Sequence, residues 1–580
     1  MQALRTVIQG LFVLCMVSGP TMGQTTARVS VDSDGTQADQ GGEDPSISDD
    51  GRFVAFQSSS TDLVPNDTNN RTDIFVHDQW TGSTIRVSLS STGAQANDGS
   101  LAPEISGDGR FVVFDSDADN LVSGDTNGSN DVFVHDIETR ETTRVSVDSA
   151  GVQRTGASLE PSISRDGRFV AFSSLAPLVA EDTNTVEDVY VKDRQTGQVA
   201  RASVSSTGVQ ASGSAARISA DGMTVAFTSL SPVLVTGDTN GAQDVFVRDR
   251  AAGSTARVSV SSSGTQGNGI STYPSISADG RFVLFKSLAD NLVPGSDTRQ
   301  LYVHDRETGM TELASVSSSG VIGNRLSVSG VISEDGRYVL FSSDARNLVP
   351  NDTNLRRDIF LRDRELGETT LVSVDSAGVQ GNGDCNQPEI NSDGLFVVFH
   401  STATNLAERD SNASPDVFVR DRRPCADGNV NAAAGVRTDV LFINDQARVA
   451  IVAARTPYTV RLATAPAGPD PASYIVWIWK GLPVRQRELV VGSTSIDCTV
   501  NPTPFDAGFA PRPFKCLLGG LGPEYGSGVT VMGVSPADAP WSLRNNRGVK
   551  PLVVTLQGVI EDSTAPSGLS VTNAVIFKSQ

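Results

Sequence analysis

The strongest constraint on this chain is that it repeats itself. The stretch PSISDDGRFVAF at Pro45 returns as PEISGDGRFVVF at Pro103, PSISRDGRFVAF at Pro161, RISADGMTVAF at Arg217, PSISADGRFVLF at Pro274, VISEDGRYVLF at Val331 and PEINSDGLFVVF at Pro388. The residue after the turn glycine falls at Arg52, Arg110, Arg168, Met223, Arg281, Arg337 and Leu395, so seven units follow one another at steps of 55–58 residues. A period of that size points to a solenoid, an array or a propeller. Each unit holds four short runs with β character and no sustained helical period. In the first unit these are Pro45–Ser48, Arg52–Phe56, Asp73–His77 and Arg86–Leu89. The second is apolar from Phe53 to Phe56, as a strand buried on both faces requires. Seven units of four antiparallel strands predict an all-β fold, a seven-bladed β-propeller.

The sequence also predicts how the ring closes. The fourth run first occurs at Arg28–Val31, ahead of the first unit, while the last unit stops at Arg423 without one. The count balances if Arg28–Val31 supplies the outer strand of the last blade, which couples the chain ends and removes an exposed edge. Strand alternation then sorts the connections. The tight turns between runs one and two and between runs three and four share one face; both longer, polar loops share the other. Asp78, Asp136, Asp193, Asp249, Asp305, Asp363 and Asp421 open three-to-four turns, where an Asp bonds its own backbone. A ligand is expected on the long-loop face.

Residues 1–23 carry Arg5, an apolar run from Val7 to Val17 and then small residues, the pattern of a secretory signal peptide. That run is too short for a comfortable membrane span and no later segment is long and apolar enough, so no transmembrane segment is expected. A secreted or periplasmic protein follows, with the propeller at residues 24–423 and a second domain at 424–580. Lys plus Arg is 46 against 67 Asp plus Glu, a net charge of −21, which repels phosphate backbones and argues against nucleic acid as a partner. Residues 424–580 show β-like runs divided by Pro- and Gly-rich turns, which predict a β-sandwich-like domain. Four Cys fall in the mature chain; Cys498 with Cys516 and Cys385 with Cys425 are the expected disulfides, although four Cys allow three pairings.

The loops between runs two and three repeat Asp-x-Asn-x-x-x-Asp: Asp67, Asn69, Asp73; Asp125, Asn127, Asp131; Asp182, Asn184, Asp188; Asp238, Asn240, Asp244; Asp352, Asn354, Asp358; and Asp410, Asn412, Asp416. Oxygen ligands at alternate positions suit calcium, but each loop offers about three side chains where the ion takes six to eight oxygens. Turn capping by Asp and Asn explains the same pattern. The four-to-one loops repeat a Gly followed two residues later by Gln (Gln37, Gln95, Gln153, Gln210, Gln266, Gln380), expected to mark a fixed turn and a side chain that bonds backbone. His77, His135 and His304 share one slot with Lys192, Arg248, Arg362 and Arg420, read as a solvated basic position. Neither GxSxG nor HExxH occurs, so no catalytic residue is named and an enzyme is not expected.

At the level of the SxDGRFVaF and DIFVxD motifs, residues 28–423 resemble the PD40 (WD40-like) β-propeller repeats of TolB. The turn departs from that pattern, with ISDDG or ISADG where TolB-like repeats carry WSPDG. The TolB propeller also has six blades behind an α/β domain, so its lipoprotein partner is not carried over. PD40 propellers precede the peptidase domain of prolyl oligopeptidases, but the residues after 423 hold no hydrolase motif. The second domain looks like one appended to secreted bacterial proteins. Three functions follow as expectations. The first is a noncatalytic exported propeller that binds a protein, peptide or envelope glycan on its long-loop face. The second is a lyase or hydrolase acting on a glycan or peptide at the channel mouth. The third is a calcium-ordered structural surface protein.

Overall fold

The computed structural model describes residues 24–296 and 299–423 in full and, beyond them, the backbone of ten strands between Arg437 and Val571. Seven four-stranded antiparallel sheets make up the first region. In blade 1 the strands run Glu43–Ile47, Phe53–Ser58, Asp73–Asp78 and Ser83–Arg86, from the innermost outward. Blade 7 takes three strands from Cys385–Ile390, Phe396–Ser401 and Asp416–Asp421, and its outermost from Thr25–Arg28 at the other end of the chain. The closing strand pairs Thr25 with Asp421 and Arg28 with Phe418. The expected seven-bladed propeller and its N-terminal closure are both present, but the fourth strand lies three residues earlier than expected, Thr25–Arg28 instead of Arg28–Val31 and Ser83–Arg86 instead of Arg86–Leu89.

Apolar second and third strands decide where the core lies. Their aromatic residues pair in every blade, from Phe56 on Phe75 to Phe399 on Phe418, with centroids 5.8–6.2 Å apart, stacked in all but the tilted Phe172–Tyr190 pair. Faces that would otherwise meet water pack against the next blade, so the core is a set of interfaces: Ala55, Ile74 and Val76 of blade 1 share a cluster with Ile105, Val112 and Phe114 of blade 2. The first tight turn follows from this packing. Gly51 has φ of +69° and a Cβ there would meet the Phe396 ring at 2.3 Å, so the neighbouring blade and the turn both demand glycine. Asp50 caps the turn, accepting bonds from Ser48 Oγ and Arg52 N.

Each innermost strand begins with a break in register against the second strand. At the break Asp44, Ala102, Glu160, Ala215, Tyr273 and Gln387 have φ between +46° and +53°. A bulge of this kind re-aims the side chain it carries.

Contacts divide the chain into two compact units, Met1–Arg423 and Pro424–Gln580. In the second, eight strands from Arg437–Ile443 to Leu543–Asn545 form one sheet in chain order. It is antiparallel except where Thr459–Thr464 runs parallel to Arg487–Val491. Cys498 and Cys516 hold facing positions on neighbouring strands. The expected signal peptide, the sandwich packing, the Cys498–Cys516 bond and Cys425 lie outside the described residues.

Candidate functional site

The repeated loop residues meet around an arginine. Arg86 Nη1 lies 2.9 Å from Asp67 Oδ1 and 3.2 Å from Asp73 Oδ2. Arg144 sits between Asp125 and Asp131 at 3.2 and 3.4 Å, Arg201 between Asp182 and Asp188, Arg257 between Asp238 and Asp244, and Arg28 between Asp410 and Asp416. The six glutamines each accept a backbone N–H, as expected, and Gln37, Gln153, Gln266 and Gln380 also span the two carboxylates. Gln153 Nε2 donates to both Asp125 and Asp131, while its Oε1 accepts the Thr126 N–H. Each Asn oxygen accepts the backbone N–H two residues on, as Asn69 does from Arg71. The residues expected to hold calcium are thus brought together, but a guanidinium and an amide lie among their oxygens. Among the described residues no group of three or more His, Cys, Asp or Glu is arranged to hold a metal ion.

Blades 5 and 6 break the pattern. Leu313 and Leu371 replace the arginine. Blade 5 also exchanges the second Asp for Gln300 and the glutamine for Ile322, and its Asp297 lies outside the described residues. Blade 6 keeps Asp352, Asp358 and Gln380, whose Nε2 bonds both carboxylates at 2.9 Å. Burial, with Asp352 alongside, pushes Asp358 up to about 6.

Two expectations are corrected. The basic slot of the third strand is buried, not solvated: His77, His135 and His304 are at most 7% exposed. His77 Nδ1 lies 2.9 Å from Thr84 Oγ1, whose own hydrogen goes to Val31 O of the preceding blade, so Nδ1 carries the proton. Lys192 Nζ reaches Asp148 O at 3.1 Å, and Arg248, Arg362 and Arg420 bond carbonyls of the preceding blade in the same way. The slot joins blades because a long cation satisfies carbonyls left at the end of the neighbour's outer strand. Cys385 is a free, fully buried thiol 3.1 Å from Ser401 Oγ. It fills a place taken by serine in Ser100–Ser116, Ser158–Ser174 and Ser271–Ser287, which explains it without a bridge to Cys425.

The channel along the axis reads as a series of levels. Ser46, Glu104, Ser162, Arg217, Ser275, Val331 and Glu389 occupy equivalent register positions on the seven innermost strands. Four of them tie neighbouring blades: Ser46, Glu104, Ser162 and Ser275 accept the N–H of Ile105, Ile163, Ile218 and Ile332. Arg217, from blade 4, acts on Glu104 of blade 2, Glu389 of blade 7 and Asp44 of blade 1. Burial, reinforced by Glu104, pushes Glu389 up to about 8; burial pushes Asp44 up to about 6.

Below that level the next residue of each innermost strand is an isoleucine, Ile47, Ile105, Ile163, Ile218, Ile276, Ile332 and Ile390. At the short-turn face the channel narrows to a ring of backbone hydrogen bonds. Asp49 N donates to Gly107 O, Gly107 to Arg165, Arg165 to Ala220, Ala220 to Ala278 and Ala278 to Glu334, at 3.0–3.2 Å. Arg165 crosses this end, 2.5 Å from Asp49 and 3.1 Å from Glu334. A cavity of about 130 Å³ lies between the isoleucines and this cap.

The opposite mouth, on the long-loop face, is where the units differ. Its collar combines the bulge residues, a second-strand ring (Gln57, Asp115, Ser173, Thr228, Lys286, Ser342, His400) and the residue before each third strand (Thr72, Asn130, Glu187, Gln243, Arg299, Arg357, Pro415). Gln57 and Asp115 accept the N–H groups of Ala102 and Glu160 that the bulge frees. Charges are segregated. Within this collar blades 1, 2 and 3 present Asp44, Asp115, Glu160 and Glu187; blades 5 and 6 present Lys286, Arg299 and Arg357, the last paired with Asp344; blades 4 and 7 present none. Burial pushes Asp115 up to about 7 and His400 down to about 4, while burial and the neighbouring Arg299 and Arg357 lower Lys286. None of these residues stands out in a single unit. Superposing the seven units and asking where charge changes from one to the next would have found them.

No protein-family model matches the sequence, and no curated protein matches it. Solved structures that match include TolB from Acinetobacter baumannii, at 18% identity over 55% of this chain and 63% of that one, with a TM-score of 0.32. The β-propeller domain of the Trilobed protease from Pyrococcus furiosus matches at 12% identity over 66% of this chain and 95% of that domain, TM-score 0.40. The acylaminoacyl peptidase of Pyrococcus horikoshii matches at 12% identity over 71% of this chain and 57% of that enzyme, TM-score 0.40.

Proposed function

We propose that the chain is an exported, noncatalytic scaffold whose propeller binds a protein, peptide or envelope glycan at the channel mouth on the long-loop face. The observation that carries this reading is the collar itself. Where the fold needs a residue, most of the seven units agree; around the mouth they disagree in size and in sign of charge, as a surface shaped by a ligand would. The ring of tight turns at the other end leaves the mouth as the way in. Immobilised protein should retain a component of envelope extract. The double charge reversal K286E/R357E should lose it, while a reversal on the short-turn face, Glu138→Lys, should keep it. Equal retention by both variants would place the binding surface elsewhere.

A second reading, a lyase or hydrolase of glycans or peptides, draws on Glu104 and Glu389. They lie at one level of the channel with raised proton affinity, as an acid/base pair requires. Arg217 among them gives the same residues a purely electrostatic role. Turnover on a glycan or peptide panel that vanishes in both Glu104→Gln and Glu389→Gln would favour the enzyme.

A further inference from the structure

We infer that the mouth takes a peptide segment with opposite charges at its two ends, its anionic end on Lys286, Arg299 and Arg357 and its cationic end over Asp44, Glu160 and Glu187. This rests on the reading of the mouth as a binding surface and names what binds there. The two arcs stand on separate sets of adjacent blades, with neutral blade 4 and neutral blade 7 between them. Each arc gathers like charges. Lys286 feels Arg299 and Arg357, and Glu187 feels Glu160. Arg357 Nε bonds Asp344 at 3.0 Å and its Nη1 bonds Asn386, whereas Lys286 Nζ lies over the Tyr273 ring, 5.2 Å away. Like charges held together favour whatever neutralises them, so each arc selects for the opposite sign.

A neutral glycan relieves neither arc. A polyanionic glycan suits blades 5 and 6 but meets three acidic blades and a chain of net charge −21. A peptide carries both signs on one backbone. It also brings apolar side chains, and Leu230 and Tyr273, 62% and 58% exposed on blades 4 and 5, flank the basic arc at a place to receive them.

The test is titration calorimetry of the full chain at low salt with a designed peptide: a run of glutamates, an alanine spacer and a run of lysines. A scrambled peptide of the same composition, an all-glutamate peptide and an oligogalacturonate serve as comparisons. The segregated peptide should bind about 10-fold more tightly than the scrambled one and weaken as salt rises. K286E/R357E should lose that 10-fold preference, and the milder K286Q, which leaves the Arg357–Asp344 pair in place, should weaken it while melting within about 2 °C of the parent. Equal binding of segregated and scrambled peptides, no binding of either, or tighter binding of oligogalacturonate would overturn the inference. If these peptides fail while K286E/R357E still releases a retained envelope component, the mouth remains the binding surface and only the ligand class is lost.

Discussion

The rim beneath the long loops and the collar around the channel are built from the same seven units, yet they follow opposite rules. On the rim, blades 1, 2, 3, 4 and 7 each place a buried arginine between two buried aspartates, and in blades 2, 4 and 7 a half-buried glutamine spans both carboxylates. At the collar, bulge residues in equivalent conformations carry Asp44, Ala102, Glu160, Ala215, Tyr273 and Gln387. The rim is constrained by desolvation: a buried carboxylate pair without its cation is costly, and in blade 6, where Leu371 replaces the arginine, the cost shows as the raised proton affinity of Asp358. The collar keeps its backbone and varies its side chains. Agreement among the units therefore marks what holds the wheel together, and disagreement marks what it presents.

The comparison can be broken most severely at the closing strand. Removing residues 24–33 takes the outer strand from blade 7 and uncovers its edge, and the thermal midpoint should fall by more than about 10 °C. A truncated protein that melts with the parent would show that the ring does not depend on this strand.

The rim is tested by exchanging two residues in opposite directions. Arg144→Leu leaves Asp125 and Asp131 buried without their cation and should cost about 3 kcal/mol in denaturant unfolding. Leu371→Arg gives blade 6 the guanidinium that its siblings have. The proton affinity of Asp358 is raised in the folded state, so its ionisation opposes folding once the pH passes about 6. The substitution should therefore stabilise by roughly 1–2 kcal/mol at pH 8 and by little at pH 4. A pH-independent effect, or a loss at pH 8, would mean that the blade 6 pair has found another solution.

The smallest effect should come from inside the channel. Glu389 holds its proton up to about pH 8, so the stability it lends is full below the ordinary carboxylate range and fades as the pH rises through 8. Glu389→Gln stays neutral, and relative to the parent it should gain about 2 kcal/mol between pH 5 and pH 9, since channel water moderates the cost of the charge. Melting curves at the two pH values measure it; a constant offset would mean that burial does not raise the proton affinity of Glu389.

Much of the propeller was legible in the sequence because it rests on spacing. The seven SxDG turns set the number of blades, and the stray fourth run at Arg28 set the closure. The glutamines were legible as backbone-bonding residues. Their arginine partners were not, although Arg86 and Arg144 head the fourth runs in plain view, because the pairing joins a strand to a loop and has no spacing of its own. The His77 slot was misread for a related reason: a basic residue facing away from its own blade looks solvated until the neighbouring blade is placed against it. The bulges had no signature, since φ above zero at residues as different as Glu160 and Tyr273 follows from the break in register and not from residue type. The collar was invisible while each unit was read for its likeness to the others.

The closing strand has one more consequence, for the order in which the molecule is made. Thr26 meets Arg420, and the two are 394 positions apart. During synthesis the leading strip must wait, unpaired, until nearly the whole wheel has emerged, and the wheel cannot lock before then. A chain cut short before Asp416 leaves the strip with nothing to grip.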